Sequence, residues 1–519
     1  MKKIFQIVTL VLVIGSMAAC NKSFDSLEAD PNRATSVPAN LILNNVLLNF
    51  TNGGFSTKQR ANQYYLCNYD YYGNNEYNWT GYSFGGYNTL KNIAQMEAEG
   101  IKSVASPNPY TAIGKFLKAY FLYDLTMNLG DIPVSDALKG LTNVTPKYDT
   151  QKQVFQQILT YLEQANTEMG TLKTTNYVLA SDFYYGNDLS KWQKAVNAFK
   201  LRVLIQLSNK EADADLAIKA KFAETVSNPT KYPVFASDAD NLTFVYNNQF
   251  NKYSTNPDNF GFDATRYNMS STYLGNLASL KDPRTFFVAE PASALVASGK
   301  LPNSYDAFAG AGAGEDLATM SKNAGDGKYS FINRKRYYQT YTAETTTQVG
   351  YQELCFNMAE AAHRGWITGQ SAETWYQNGI KASQAFYGVK EGANTVTFQK
   401  PSGTLAESVT YAVDYKYADY YAQATVKYAG SGTTGLNQIL LQKYLSLYQN
   451  SGAEGYYNWR RTGVPTFHTG PGTGNSQRVA LRYQYPSTER AVNKANVEAA
   501  IASQYGGADD INAKMWIIK

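Results

Sequence analysis

Residues 64–87 read YYLCNYDYYGNNEYNWTGYSFGGY and place ten aromatic side chains in 24 positions. Ring faces beside Asn amides and Tyr hydroxyls suit an uncharged polar ligand. Sugar C–H faces pack on a ring while amides bond the hydroxyls, so glycans fit this pattern best. The same rings anchor protein interfaces at low entropic cost, and they also pin irregular loops onto a core. Within the run, Tyr69, Tyr71, Tyr72 and Tyr77 flank Gly73-Asn74-Asn75 and are expected to be exposed. Trp79 and Tyr87 lie nearest a helix beginning around Asn88 and are expected in the core. A second aromatic and amide cluster, Tyr246 to Phe250, extends to Tyr253, Phe260 and Tyr267. A third, Arg334-Lys335-Arg336-Tyr337-Tyr338, adds cations that stack on rings or pair with a carboxylate. Tyr69, Tyr71, Tyr72, Tyr77, Tyr253, Phe260, Tyr267, Tyr337 and Tyr338 are the candidate ligand contacts, with packing as the competing role at each.

Catalytic chemistry finds little support. Of the two histidines, His363 follows Glu360 on a helix and His468 sits in the Gly-rich loop 466–474. Neither has the Cys or Asp/Glu spacing of a metal site. There is no Gly-x-x-x-x-Gly-Lys-Ser/Thr loop. A two-carboxylate glycosidase stays formally open, because 42 acidic residues always supply some pair. The sequence therefore implies no catalytic residue, no metal and no cofactor.

The 519 residues are 44% hydrophobic, which excludes disorder and a polytopic membrane protein. Only 17% are charged, and Tyr alone contributes 42 residues, so hydroxyls and amides must cover much of the surface. Net charge is +5 with the signs interspersed, which leaves no basic stripe to track nucleic acid. Lys2 and Lys3 precede the apolar run Ile4 to Ile14, too short for a membrane span of about 20 residues and suited to a secretory signal. Met17-Ala18-Ala19-Cys20 follows, and resembles the lipobox in which the cysteine is acylated to become the new N-terminus. Residues 1–19 are thus expected to be a lipoprotein signal peptide, Cys20 the lipidation site, and 20–40 a polar tether. More than one acyl chain on a cysteine makes membrane attachment effectively stable. Cys67 and Cys355 remain; Cys355 shares a helical face with Leu354 and Met358 and is expected to be a buried small hydrophobe, although an exported compartment permits a Cys67–Cys355 bridge.

Positioning falls to helices. In 151–169 the apolar residues Val154, Phe155, Ile158, Leu159, Leu162, Ala165 and Met169 form a 3.6-residue stripe, and Trp192, Ala195, Val196, Phe199, Val203 and Leu207 repeat it in 189–207. Residues 114–129, 351–365, 371–387 and 436–450 behave similarly, and 489–504 more weakly. Each stripe covers one face, so the helices must pack on one another as hairpins. Two stretches differ. Residues 232–346 mix short β-prone runs such as Leu242 to Tyr246 with Asn, Gly and Pro, and include a flexible Ala309 to Gly314. Residues 389–434 are similar. Long turn-rich insertions in a compact protein are usually functional surfaces. The expected fold is mainly α: tetratricopeptide-like helical hairpins over 41–519 as one domain, carrying an irregular, loop-rich, short-strand cap at about 232–346 and 389–434.

Several ordered segments resemble the SusD/RagB family of Bacteroidetes outer-membrane lipoproteins. They are the lipobox with Asp30-Pro31-Asn32, the turn Gly130-Asp131-Ile132-Pro133, Asp282-Pro283-Arg284, the helix ELCFNMAEAAHRG over 353–365, Trp459-Arg460-Arg461-Thr462-Gly463, and Arg482, Tyr483, Pro486 and Glu489. The resemblance implies a nutrient-binding protein at the cell surface, anchored to the outer membrane by lipid. It also implies a SusC-like TonB-dependent transporter as partner, with this chain as its lid, and a polysaccharide, oligosaccharide or oligopeptide as ligand. Such proteins bind without processing. A surface glycoside hydrolase and an adhesin are the alternatives.

Overall fold

The structure is a computed structural model that describes residues 36–400 and 404–519. The proposed signal peptide, Cys20, Asp30-Pro31-Asn32 and most of the tether lie outside the described residues. About half of the chain is helical, and the strands are few and mostly short, as the sequence periodicity predicts.

The scaffold begins with α1 (Ala39–Phe50), α2 (Gly85–Ser103), α3 (Pro109–Leu129), α4 (Gln151–Leu172), α5 (Leu189–Gln206) and α6 (Ile218–Ser227). Consecutive members pack on one another from α2 to α6, and α1 leans on α2. Local chemistry sets where they start. Asn108 accepts from the backbone N–H of Tyr110 and Thr111 with Pro109 in the first turn, while Thr150 and Gln153 cap α4 reciprocally. All seven apolar residues of the α4 stripe are buried. At about 1.5–3 kcal/mol for each of the six larger than Ala165, they give this face a gross gain of roughly 9–18 kcal/mol before ordering entropy is subtracted. The second half follows the same rule with α7 (Tyr351–His363), α8 (Ala372–Phe386), α9 (Thr433–Ser446), α10 (Glu454–Thr462) and α11 (Lys494–Tyr505). Helix α7 packs on α8, α9 and α5, which joins the halves.

Buried charges lock that junction. Arg202 of α5 donates from Nε and Nη2 to the two carboxylate oxygens of Glu353 on α7, at 2.7 and 2.5 Å. Arg284 holds Asp282 in the same forked manner, at 2.9 and 2.8 Å, and both side chains have no solvent exposure. The Asp-Pro-Arg motif is therefore an internal brace, completed by the Tyr420 hydroxyl donating to Asp282 at 2.6 Å.

Among the described residues the cap carries three antiparallel strand pairs, the first with a strand from outside it: β1 (Tyr65–Cys67) with β3 (Tyr267–Met269), β2 (Leu242–Phe244) with β4 (Thr346–Val349), and β5 (Gly392–Gln399) with β6 (Ser408–Tyr415). The eight-residue β5–β6 pair is more regular than the turn-rich composition of 389–434 suggested. The Ala309 to Gly314 stretch is not a flexible link. Ser271 donates to the Ala311 carbonyl and Ala311 to that of Met269, both at 2.8 Å. A Cβ on Gly310 or Gly314 would collide with the backbone of Ser270 or Thr469. These glycines admit close backbone approach and do not confer mobility.

Cys67 and Cys355 are both buried free thiols. Cys355 behaves as the small core hydrophobe expected from its helical face.

Candidate ligand-binding site

The β1–β3 pair brings together two aromatic regions some 200 residues apart, in the register Tyr65–Met269, Leu66–Asn268 and Cys67–Tyr267. Just beyond β1, the Asn68 N–H donates to the Arg266 carbonyl at 3.0 Å, and its side-chain amide donates to the Thr265 carbonyl at 2.9 Å. Asn75 closes the loop by accepting from the Cys67 N–H at 2.9 Å and donating to the Cys67 carbonyl at 2.7 Å. The intervening residues 69–74 are thereby clamped at both ends, with a 3₁₀ turn at Asp70–Tyr72.

Four predicted residues meet here. The Tyr72 ring stands edge-on to Tyr71 at 5.2 Å and to Tyr267 at 6.2 Å, and Tyr69 lies 6.4 Å from Tyr72. Two members escaped the sequence reading: the Arg266 guanidinium sits 5.1 Å from the Tyr69 ring centre and 5.9 Å from that of Phe262. Tyr69 is 48% exposed, Phe262 74% and Tyr71 82%, so three ring faces and a cation share one solvent-facing surface. Soluble proteins seldom leave so many large rings uncovered in one place without a use for them. Behind the surface lies Asp263, whose carboxyl burial pushes up to about 6, against a hydrogen bond from Tyr267. Phe260 is partly covered by Tyr338, 5.7 Å away.

Four candidates are corrected to the interior. Tyr77, Tyr253, Tyr337 and Tyr338 are buried core residues and present no face to a ligand in this structure. The reason is polar as well as apolar. Tyr77 receives a backbone tie from its own N–H to the Thr473 carbonyl at 2.8 Å, and its hydroxyl donates to the Ala61 carbonyl at 2.9 Å. Tyr253 and Tyr337 pack edge-on around Phe55, at 6.2 and 5.2 Å. Trp79, expected inside, is only partly buried and stacks on Tyr483 at 4.2 Å. No signal in the sequence separates Tyr77 from Tyr71. Arg266 and Phe262 had one weak signal, namely their position inside the second aromatic cluster.

Among the described residues no group of His, Cys, Asp or Glu side chains could hold a metal ion. His363 Nδ1 is 2.7 Å from the Tyr428 hydroxyl, and Glu360 is committed to Arg461.

A family model described as starch-binding and associating with the outer membrane matches residues 31–486. The chain belongs to the SusD-like family. A SusD homologue from Bacteroides fragilis is 30% identical, with a TM-score of 0.80 over 93% of this chain and 100% of its own. A candidate outer-membrane nutrient-binding protein from Bacteroides vulgatus is 29% identical, with a TM-score of 0.78 over the same shares. A chitin-binding SusD homologue from Flavobacterium johnsoniae shares the fold, with a TM-score of 0.66 at 18% identity over 93% of this chain and 98% of its own. No curated protein matches the chain. Membership of the SusD-like family agrees with the motif order, and the hydrogen bonds of Arg284, Arg460 and Arg461 make Asp282-Pro283-Arg284 and Trp459-Arg460-Arg461 internal braces of the fold.

Proposed function

We propose that this SusD-like protein captures a glycan at the cell surface and passes it to a TonB-dependent, SusC-like outer-membrane transporter. In this reading it is held to the membrane by acylated Cys20 and closes over the barrel as a lid. The observation that carries the capture step is the exposed rings Tyr69, Tyr71 and Phe262 around the half-buried Arg266, backed by Tyr72 and Tyr267. Rings of this kind take the C–H faces of a sugar, and a guanidinium clamped between two rings adds fixed donors for hydroxyl or N-acetyl oxygens. The clamp at Asn68 and Asn75 orders the loop before ligand arrives, which lowers the entropic cost of binding. The family description and the chitin-binding neighbour support glycan over peptide. We read this surface as a binding surface and the protein as a carrier and not a hydrolase, as the starch-binding description of the family supports.

The test measures binding of maltoheptaose, chitohexaose and a tyrosine-free oligopeptide to the intact protein and to Tyr71→Ala. Binding of a glycan that Tyr71→Ala weakens by about tenfold or more supports the reading. Equal glycan binding by both proteins, or binding of the peptide alone, overturns it. The delivery step is tested separately by detergent extraction of outer membranes, where a co-purifying β-barrel is expected.

A further inference from the structure

A second site lies within the cap, next to the chain segment that carries Phe262 and Arg266, through the Arg334 bond to the Ala264 carbonyl. A cavity of about 180 Å³ opens between the β5–β6 pair and the segments around Glu290 and Pro302. Its walls include Phe398 and Tyr411, 5.7 Å apart, with Val409 exposed at its edge. Into it faces Arg334, whose residue is 9% exposed. Arg334 is positioned from three sides: its guanidinium sits 4.8 Å over the Phe331 ring, its Nε donates to the Ala264 carbonyl at 3.2 Å, and its backbone N–H donates to Glu290 at 2.9 Å.

Among the described residues its two terminal nitrogens have no hydrogen-bond partner. Among the described residues no carboxylate lies within ion-pair distance of Arg334, unlike Arg202, Arg284 and Arg461, each of which grips one. Glu290 is near but already used: one oxygen accepts from the Arg334 N–H and the other from the Gln399 N–H at 3.1 Å. Burial lifts the Glu290 carboxyl to about 7 against the pull of Arg334, so near neutral pH it offsets only part of the guanidinium charge. Burial in turn lowers the Arg334 pKa, and Glu290 fails to restore it. Lys400, which also lines the cavity, adds a second cation. A buried guanidinium fork with free nitrogens, apolar ring walls and an excess of positive charge is the usual design for an anion carried on a flat or cyclic body.

We propose that this cavity binds one carboxylate-bearing ring unit, with the carboxylate on the terminal nitrogens of Arg334 and the ring against Phe398 and Tyr411. Two sources share that chemistry, a sugar acid and an aromatic acid. The cavity takes a single ring, so the unit is either a free acid or a terminal residue.

Titration calorimetry on the whole protein with glucuronate and with benzoate tests it, each beside its methyl ester. Saturable binding of at least one acid is expected, with its ester weaker by about tenfold or more, the loss expected of one charge-assisted fork. The acid that binds names the source. Arg334→Lys keeps the charge and loses the fork, and is expected to weaken the acid by a similar factor. Val409→Trp fills the mouth from an exposed position, leaves the buried contacts in place and is expected to abolish binding. Tyr71→Ala is expected to leave it unchanged, which separates this site from the surface cluster. Equal affinity for acid and ester, retention by Val409→Trp, or no saturable binding of either acid overturns the proposal.

Discussion

The Arg461 guanidinium grips Glu360 with both terminal nitrogens, at 2.6 and 2.8 Å, and neither side chain reaches solvent. The two residues belong to motifs a hundred positions apart in the chain, one closing α7 and the other closing α10. Burial pushes the Glu360 carboxyl up, but Arg461 outweighs it and holds the group at about 2. Because the folded pKa lies below the unfolded one, the folded state binds fewer protons. The pair's stabilisation is therefore complete above about pH 5 and drains away as pH falls towards 2, amounting to about 3 kcal/mol. Glu360→Gln is expected to cost about 3–5 kcal/mol at pH 7, since it strands a buried cation. In urea unfolding the gap to the parent protein should narrow as pH approaches 3; a gap independent of pH would exclude the pair as the origin of acid sensitivity.

Tyr71 and Tyr338 are both aromatic candidates by sequence, and the structure assigns them opposite fates, 82% exposed against 0%. Tyr71→Ala is expected to stay within about 0.5 kcal/mol of the parent in stability and to lose glycan affinity. Tyr338→Ala is expected to lose about 3–5 kcal/mol, as removal of a large buried ring does. Denaturant melts run beside glycan titrations distinguish the two, and a stable, non-binding Tyr338→Ala would contradict the assignment.

This contrast marks what periodicity can and cannot reveal. The stripes on α4 and α5 predicted those helices to within a few residues, because a repeating apolar face is written in the local sequence. Arg460 and Arg461 were readable as structural for a similar reason: a buried guanidinium needs a carbonyl or carboxylate, and Leu481 and Glu360 supply them. Tyrosine carries no such signal. Its hydroxyl is as well satisfied by the Ala61 carbonyl inside, as in Tyr77, as by water outside. The clamp of Arg266 between Tyr69 and Phe262 depends on the β1–β3 register, a pairing across two hundred residues that no local pattern encodes.

Gly73 sits at φ 146°, and a Cβ there would run into the Arg60 guanidinium. Arg60 donates to the Tyr65 hydroxyl at 3.2 Å and reaches the Tyr72 carbonyl at 3.5 Å, so displacing it disturbs both ends of the exposed loop. Gly73→Ala is expected to cost about 1–3 kcal/mol and to expose Tyr69 and Tyr71 to chymotrypsin. Limited proteolysis with mass mapping checks this, and unchanged cleavage at those two positions would count against the clamp.

Both internal cysteines are shielded in the same way. Burial pushes the Cys67 thiol up to about 11 despite Arg60, and the Cys355 thiol up to about 12. With so little thiolate, neither should react with an aromatic disulfide reagent at pH 8 until the protein is unfolded. Peptide mapping after labelling with and without urea reads this directly. Reductant should leave the melting temperature unchanged, whereas a drop would indicate a bridge.

Gly379 opposes two general rules. It lies inside α8, where a glycine costs about 1 kcal/mol relative to alanine, so propensity alone favours Gly379→Ala. Yet a Cβ at this position would meet three Phe356 ring carbons at 2.8–2.9 Å, and Phe356 is a fully buried residue of α7. The ring cannot retreat without opening the α7–α8 contact, and overpacking of a filled core costs about 1–3 kcal/mol. The packing loss exceeds the propensity gain, so Gly379→Ala is expected to destabilise by up to about 2 kcal/mol. In the background of Phe356→Leu the same substitution should become neutral or stabilising. A double-mutant cycle measured by urea unfolding decides it, and a coupling energy near zero would show that Gly379 is not there to admit Phe356.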